Sequence, residues 1–116
     1  MPNHTLYLVF SNPVAGRDDD FDEWYDTVHV PEVVATPGMV SARRYTVLDT
    51  EMSRLAGAPA HRYLVVYEMD DDPDVVMAKV RAQVATGTMT MHDSLDLSGV
   101  AMSFWAPHGP LVRHES

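Results

Sequence analysis

The sequence predicts an α+β fold with the element order β-α-β-β-α-β. Two observations support this prediction: short apolar and aromatic runs alternate with segments of helical periodicity, and clusters of Pro, Gly, Asn and Asp separate them. This element order folds into a four-stranded antiparallel sheet with both helices on one face. The length suits one domain, so we expect a single domain over residues 1–116.

The first strand and the first helix lie near the start of the chain. Leu6–Phe10 is an apolar and aromatic run that ends at turn-forming residues, which is typical of a strand. From Asp20 onward the apolar residues follow helical spacing and form one stripe, made of Phe21, Trp24, Tyr25 and Val28. Pro31 disfavours an unbroken helix, so we expect this helix to stop or kink close to His29.

The remaining elements follow the same logic. Val40–Leu48 and His61–Met69 alternate as strands do, and we expect them to pair as a hairpin across the loop that joins them. Aspartates before Pro73 mark the start of a second helix, which runs to about Gly87. Its inward stripe is predicted to contain Val76, Met77, Val80 and Val84. The last strand is expected within Val100–Trp105.

The predicted helices can cover only one face of the predicted sheet. The strands nevertheless carry apolar residues on both faces. A second copy of the chain would remove the other face from water. The sequence therefore predicts a homodimer that pairs through its sheets.

Composition and charge exclude several classes of partner. Lys and Arg total 8 against 17 Asp and Glu, and the net charge of −9 repels nucleic acid and anionic membranes. We therefore expect no nucleic-acid partner and no membrane partner. The first residues lack a basic leader, and no long apolar span follows, so we expect a cytoplasmic location.

Several kinds of catalytic and cofactor site are also excluded by the sequence. The chain has no cysteine, which excludes thiolate nucleophiles and cysteine-ligated metals. No two histidines have the spacing that presents a metal with paired ligands, and the glycine motifs of nucleotide-binding loops and hydrolase elbows are missing. We expect neither a metal nor a cofactor.

The segment 21–32 carries the densest set of chemically useful side chains. His29 lies at the expected helix end, where the helix dipole favours an imidazolium by about 0.3–1 kcal/mol. Asp26 lies one turn earlier and is placed to orient the ring, so that the two side chains form a candidate general acid or base. The alternative is that His29 caps the helix and bonds a loop carbonyl.

A second group of residues is predicted to bind substrate. The candidates are mainly aromatic: Trp24, Tyr25, Arg44, Tyr63, Tyr67, His92, Phe104 and Trp105. For the helical aromatics the alternative is packing in the core, and for the row that Tyr63 and Tyr67 form with His61 it is a dimer interface. His92 lies in a segment that is expected to be a loop, where a surface histidine is the alternative.

Arg43 and Arg44 are neighbours in a strand and therefore point to opposite faces of the sheet. One of them is expected to enter the protein or the dimer interface, where it needs an acidic partner. That partner is either Glu68 on the adjacent strand or an anionic group of the ligand.

The eight methionines suit an adaptable lining for a flat hydrophobic ligand, although filling of gaps in the core explains them equally well. The candidates for such a lining include Met69, Met77, Met89, Met91 and Met102.

The first helix resembles that of the EthD-like group of the dimeric α+β barrel superfamily. The resemblance is carried by Trp24-Tyr25 and by His29-Val30-Pro31, and the turn Pro37-Gly38-Met39-Val40 extends it. It implies a ferredoxin-like βαββαβ protomer, a homodimer formed by the open sheet faces, and a pocket between sheet and helices. It also implies that His29 is the first candidate for proton transfer.

The resemblance and the candidate residues together suggest a small enzyme that needs no cofactor. We expect His29 to move protons on a hydrophobic, aromatic or polycyclic metabolite, as in a lyase, dehydratase, isomerase or cyclase. One alternative is a cofactor-free monooxygenase of phenolic substrates, and another is a protein that binds a hydrophobic ligand without catalysis. The ligand is expected to be neutral or singly anionic, with an anion meeting Arg43 or Arg44.

Overall fold

The computed structural model describes residues 4–115 and confirms the α+β prediction. Its elements are β1 (Thr5–Ser11), α1 (Asp18–Trp24), a π-helical turn (Tyr25–His29), α2 (Val30–Val34), β2 (Met39–Thr46), α3 (Glu51–Ala56), β3 (Tyr63–Met69), α4 (Pro73–Ala85), a 3₁₀ turn (Leu97–Gly99) and β4 (Ala101–Trp105). The strands form one antiparallel sheet in the order β2-β3-β1-β4. This is the ferredoxin-like arrangement.

The two faces of the sheet differ sharply in burial. Tyr7 and Val9 pair with Tyr67 and Val65, and these four side chains are buried under the helices. The alternate residues point away from the helices. On that open face Trp105 pairs with Leu6 and is 57% exposed. The helices thus cover one face of the sheet, as the element order predicted.

The sequence predicted that the first helix would stop or kink close to His29, and the structure has a change of helical geometry there instead of an end. The helical region runs on through α2 to Val34, and the interruption near His29 is a π-helical turn in which the Val30 N–H donates to the Tyr25 carbonyl. Pro31 lacks an N–H, and its ring would clash with the carbonyl four residues earlier in a regular α-helix. The wider π turn accommodates the proline, so the helix changes register here instead of ending.

The segment between β2 and β3 contains a short helix where the sequence predicted only a loop. A capping box begins α3: the Thr50 hydroxyl accepts from the Ser53 N–H, and the Ser53 hydroxyl accepts from the Thr50 N–H. Its apolar residues Met52 and Leu55 are exposed. Because this helix buries no stripe, its sequence shows no amphipathic periodicity.

The helix α4 has the predicted start and end. The Asp72 carboxylate accepts from the Asp74 N–H, and Gly87 follows the helix with φ of +79°. Val76 is fully buried, whereas Val84 is partly exposed. The loop before β2 packs against this helix, because a Cβ added to Gly38 would lie 2.5 Å from the Val76 Cγ2.

None of the helices within residues 4–115 has both the length and the apolar character that a membrane crossing requires.

Candidate functional site

A cavity of about 420 Å³ lies between the helical layer and the covered face of the sheet. Tyr7 and Tyr67 contribute its floor from β1 and β3, and α4 contributes one wall. The π turn contributes Tyr25 and His29. Apart from these rings and one arginine, its lining is aliphatic or thioether in character. The cavity therefore suits a largely apolar ligand.

Methionines supply much of the apolar lining. Met77, Met89, Met91 and Met102 all line the cavity, whereas Met69 is fully buried in the core. The four come from α4, from the segment that follows it and from β4. Unbranched thioether side chains adapt to ligands of different shape, so this wall can adjust to a bound molecule.

His29 is buried and lines the cavity. Its ring stacks on Trp24 at 4.5 Å between centroids and meets the edge of Tyr25 at 5.3 Å. Among the described residues, the His29 Nδ1 and the Glu32 Oε1 are the two buried side-chain atoms without a hydrogen-bond partner. Burial lowers the pKa of His29 from 6.5 to about 4, so the imidazole is neutral at neutral pH.

The charge state of His29 differs from the sequence-based expectation for a physical reason. The expected cation depended on a helix end, but the helical region continues past His29 into α2. A pKa lowered from 6.5 to about 4 corresponds to roughly 3 kcal/mol against the imidazolium, which exceeds the ~0.3–1 kcal/mol that a helix dipole supplies. Desolvation therefore decides the protonation state.

Asp26 does not orient His29 in this structure, contrary to the expectation. It lies on the exposed side of the π turn and accepts a hydrogen bond from the Arg44 Nη1 at 2.9 Å. The Arg44 Nη2 donates to Asp22 at 2.8 Å, and the guanidinium lies 5.0 Å from the centre of the Tyr25 ring. These contacts fasten α1 and the π turn to β2.

Arg44 is the inward arginine, but its acidic partners are these two aspartates and not Glu68. Glu68 is on the open face, where it bonds His4 and Ser41. Arg43 is also on the open face, because it pairs with Val66 in the register of β2 and β3. Neither arginine lines the cavity that contains His29. That one of them meets a ligand anion stays a prediction.

Three tyrosines, Tyr7, Tyr25 and Tyr67, are among the residues that line the cavity. The Tyr7 hydroxyl donates to the Met102 Sδ at 3.2 Å, and the Tyr25 hydroxyl lies 3.4 Å from the Ser11 hydroxyl. Burial raises the pKa of Tyr7 to about 12 and raises the pKa of Tyr67 as well. The phenols are therefore protonated at neutral pH and can donate hydrogen bonds to a ligand oxygen.

Tyr7 was absent from the residues that the sequence singled out. It pairs with Tyr67 on one side and with Phe104 on the other, and its ring stacks on both. The alternation of Tyr7 with Val9 in the first strand was the available signal, since both residues had to share one face of the sheet.

The other predicted substrate-binding residues lie outside the cavity lining. Trp24 is buried behind His29 and stacks at 5.8 Å on His92, whose Nδ1 accepts from the Ser94 N–H. Tyr63 lies beside Arg44, at 5.5 Å from the guanidinium. Phe104 supports Tyr7 from the sheet edge.

Trp105 cannot contact the cavity because it points to the open face of the sheet, where its indole N–H donates to the Ser103 hydroxyl. A separate concavity of about 360 Å³ lies at the edge of β2 and β3 and includes His61 and Tyr63. His29 is not part of it.

Comparisons with known proteins support the fold. Neither a protein-family model nor a curated protein matches the sequence. An EthD family protein from Bacillus halodurans C-125 superposes with a TM-score of 0.57 at 15% identity, covering 92% of this chain and 100% of the other. A candidate monooxygenase from Shewanella loihica PV-4 gives a TM-score of 0.52 at 14% identity, covering 98% and 100%.

At these identities the comparisons concern the fold alone. The EthD-like resemblance was predicted from the helix motif at Trp24 to Pro31 and is confirmed at the level of structure. The chain has the ferredoxin-like α+β fold of EthD-like proteins.

Proposed function

We propose that this chain is a cofactor-independent enzyme that uses His29 to move a proton on a hydrophobic small molecule. The substrate class is aromatic or polycyclic, and the reaction is that of a lyase, dehydratase, isomerase or cyclase. One observation carries the proposal: a buried histidine, neutral at neutral pH, lines a largely apolar cavity. A group that has to accept a proton from a bound substrate must be unprotonated and in reach of the ligand.

The chemistry follows from the cavity lining. A neutral His29 accepts a proton from an acidic C–H or O–H of the substrate, which leaves an enolate or phenolate beside an imidazolium. The low polarity of the cavity strengthens the attraction between these two charges. In this proposal a hydroxyl of the lining tyrosines, such as Tyr67, would donate a hydrogen bond to the substrate oxygen on which the negative charge develops.

The fate of the proton distinguishes the reaction types. In an isomerisation His29 returns the proton to another carbon of the substrate. In a dehydration it gives the proton to a departing hydroxyl, which leaves as water. Neither course needs an external oxidant or reductant.

Oxygenation of a phenolic substrate is the second candidate function. The observation in its favour is the candidate monooxygenase among the structural neighbours. The first step would be the same, because removal of a proton makes a phenol electron-rich enough to react with O2. One oxygen atom would then enter the ring and the other would leave as water, with the phenol itself oxidised to a quinone. Oxygen consumption during turnover separates this function from the first.

The test begins with a thermal-shift panel of flat phenolics, steroids and fatty acids, because a ligand at about 100 times its dissociation constant adds ~2.7 kcal/mol to stability. Compounds that bind are then incubated with the protein, with and without O2, and products are analysed. We expect turnover by the wild type and a loss of ~10²–10⁴-fold in His29→Gln. His92→Gln is the matched control and should retain activity.

Tight binding without turnover, unchanged in His29→Gln, would contradict the catalytic proposal and identify a binding protein. Turnover that His29→Gln leaves intact would contradict the role of His29.

We further propose that the working form is a homodimer joined through the open face of the sheet. Leu6, Tyr45 and Trp105 expose apolar surface there, on the side away from the helices. A second copy of the same face would bury this surface. The cavity lies on the opposite side of the sheet, so each protomer would keep its own.

A further inference from the structure

The helix α4 presents one face to the cavity, and a single position on that face is charged. The cavity-lining residues of α4 follow the spacing of one helical stripe: Met77, Val80, Arg81, Val84 and Ala85. Four of the five are apolar. Arg81 lies in the middle of the stripe, at a position where the helical pattern predicts an apolar residue.

Within residues 4–115, Arg81 differs from most arginines in having no acidic partner. Arg17, Arg44, Arg54 and Arg62 each form an ion pair with at least one aspartate. No carboxylate of residues 4–115 forms an ion pair with Arg81. In a chain with 17 acidic residues, this leaves its guanidinium available to an external anion.

The position of Arg81 in the cavity favours a ligand with a particular distribution of charge. Arg81 is exposed and also lines the cavity, so it borders both the cavity and the solvent. His29 is neutral at neutral pH, and the remaining lining is apolar or phenolic. Among the described lining residues, Arg81 therefore carries the one formal charge at neutral pH.

We propose that the substrate is an apolar aromatic carboxylate and that Arg81 is the residue that selects its anionic group. The ring system would lie among the methionines and tyrosines, and the carboxylate would pair with the guanidinium where the cavity borders the solvent. This inference rests on the proposed function only in placing the substrate in this cavity. It concerns selection by charge and does not depend on proton transfer.

The competing explanation is that Arg81 contributes only its aliphatic stem to the wall while its guanidinium is hydrated. Arg81→Met separates the two explanations, because it keeps an unbranched stem and removes the charge. Arg43→Met is the matched control, because Arg43 is also exposed and has no acidic partner in the described part of the chain, but lies on the open face of the sheet.

The experiment measures dissociation constants for two probes of similar size, 2-naphthoate and its neutral amide, by isothermal titration calorimetry. In the wild type we expect naphthoate to bind about tenfold or more tightly than the amide, with the preference falling as salt is added. Arg81→Met should abolish the preference and leave the amide's affinity unchanged. Arg43→Met should retain the preference.

Equal binding of the two probes by the wild type would overturn the inference, as would a preference that survives in Arg81→Met. Failure of both probes to bind would overturn the inference, whereas the proposed function would still be decided by the wider ligand panel. A charge preference in a protein that shows no turnover would contradict the proposed function alone. His29→Gln should keep the charge preference, because it leaves Arg81 in place.

Discussion

At the scale of single residues, His29 remains the first candidate for proton transfer, but its surroundings in the structure differ from those that the sequence suggested. The sequence located this side chain beside Pro31 and identified it as the first candidate for proton transfer. It did not reveal the burial, because the stacking of Trp24 on the ring and the continuation of the helix depend on tertiary contacts. The orienting role of Asp26 was likewise inferred from its spacing along the helix. The sequence did not reveal its pairing with Arg44, because Arg44 comes from a strand distant in the chain.

The lowered pKa of His29 predicts a specific dependence of stability on pH. The unfolded histidine binds a proton near pH 6.5, whereas the folded one binds it only near pH 4. The contribution of neutral His29 to the free energy of unfolding is therefore complete above pH 6.5 and is lost as pH falls toward 4. We expect the wild type to lose roughly 3 kcal/mol more than His29→Gln over this range, measured as the free energy of urea unfolding.

Carboxylates titrate in the same range, so the difference between the wild type and the variant is the quantity to compare. Parallel pH curves for the wild type and His29→Gln would show that His29 titrates normally in the folded protein.

At the scale of elements, alternation and turn chemistry predicted the four strands, the two principal helices and their order. Two features of the fold left no such pattern in the sequence. The helix α3 has exposed apolar residues and only its capping box at Thr50 as a signal, and the π turn at Tyr25–His29 is a response to Pro31 that no periodicity encodes. Both depend on local hydrogen bonding more than on a buried stripe.

The turn before β2 provides a test of how the elements are joined. Gly38 and Gly57 have similar backbone angles, with φ of +99° and +96°, but only Gly38 has a neighbour, Val76, where a Cβ would go. Alanine at either position introduces backbone strain of about 1 kcal/mol or more. We expect Gly38→Ala to lower the free energy of unfolding by at least about 2 kcal/mol more than Gly57→Ala, because α4 must also move.

Chemical denaturation of the two variants measures this difference directly. Equal losses of stability would mean that the contact between the turn and α4 is loose enough to absorb a methyl group.

At the scale of the whole molecule, the sequence predicted an uncovered sheet face, and the structure has one. The alternation of side chains along each strand was sufficient to predict this face, because successive residues of a strand point to opposite faces and a one-residue change of register would exchange them. The shape of the cavity was not predictable in the same way. Its lining comes from elements far apart in the chain, so Tyr7 and Arg81 became visible as site residues only once the strands and α4 were in place.

The open face predicts how the quaternary structure responds to charge. We expect the wild type to be a dimer at micromolar concentration in light scattering and Trp105→Lys to be a monomer, because a lysine would place an unpaired charge within the proposed interface. Leu55→Lys introduces the same charge at an exposed site on α3 and should remain dimeric. A monomeric wild type, or a dimer that tolerates Trp105→Lys, would contradict pairing through this face.

The central claim is that His29 is a neutral proton acceptor in reach of a ligand in the cavity. The most direct test is NMR of the histidine rings, titrated with acid and then with 2-naphthol at neutral pH. We expect the His29 ring to stay neutral down to about pH 5 and its signals to shift on addition of 2-naphthol, while those of His108 stay unchanged. Titration of His29 near pH 6.5, with signals that do not respond to bound 2-naphthol, would contradict the claim.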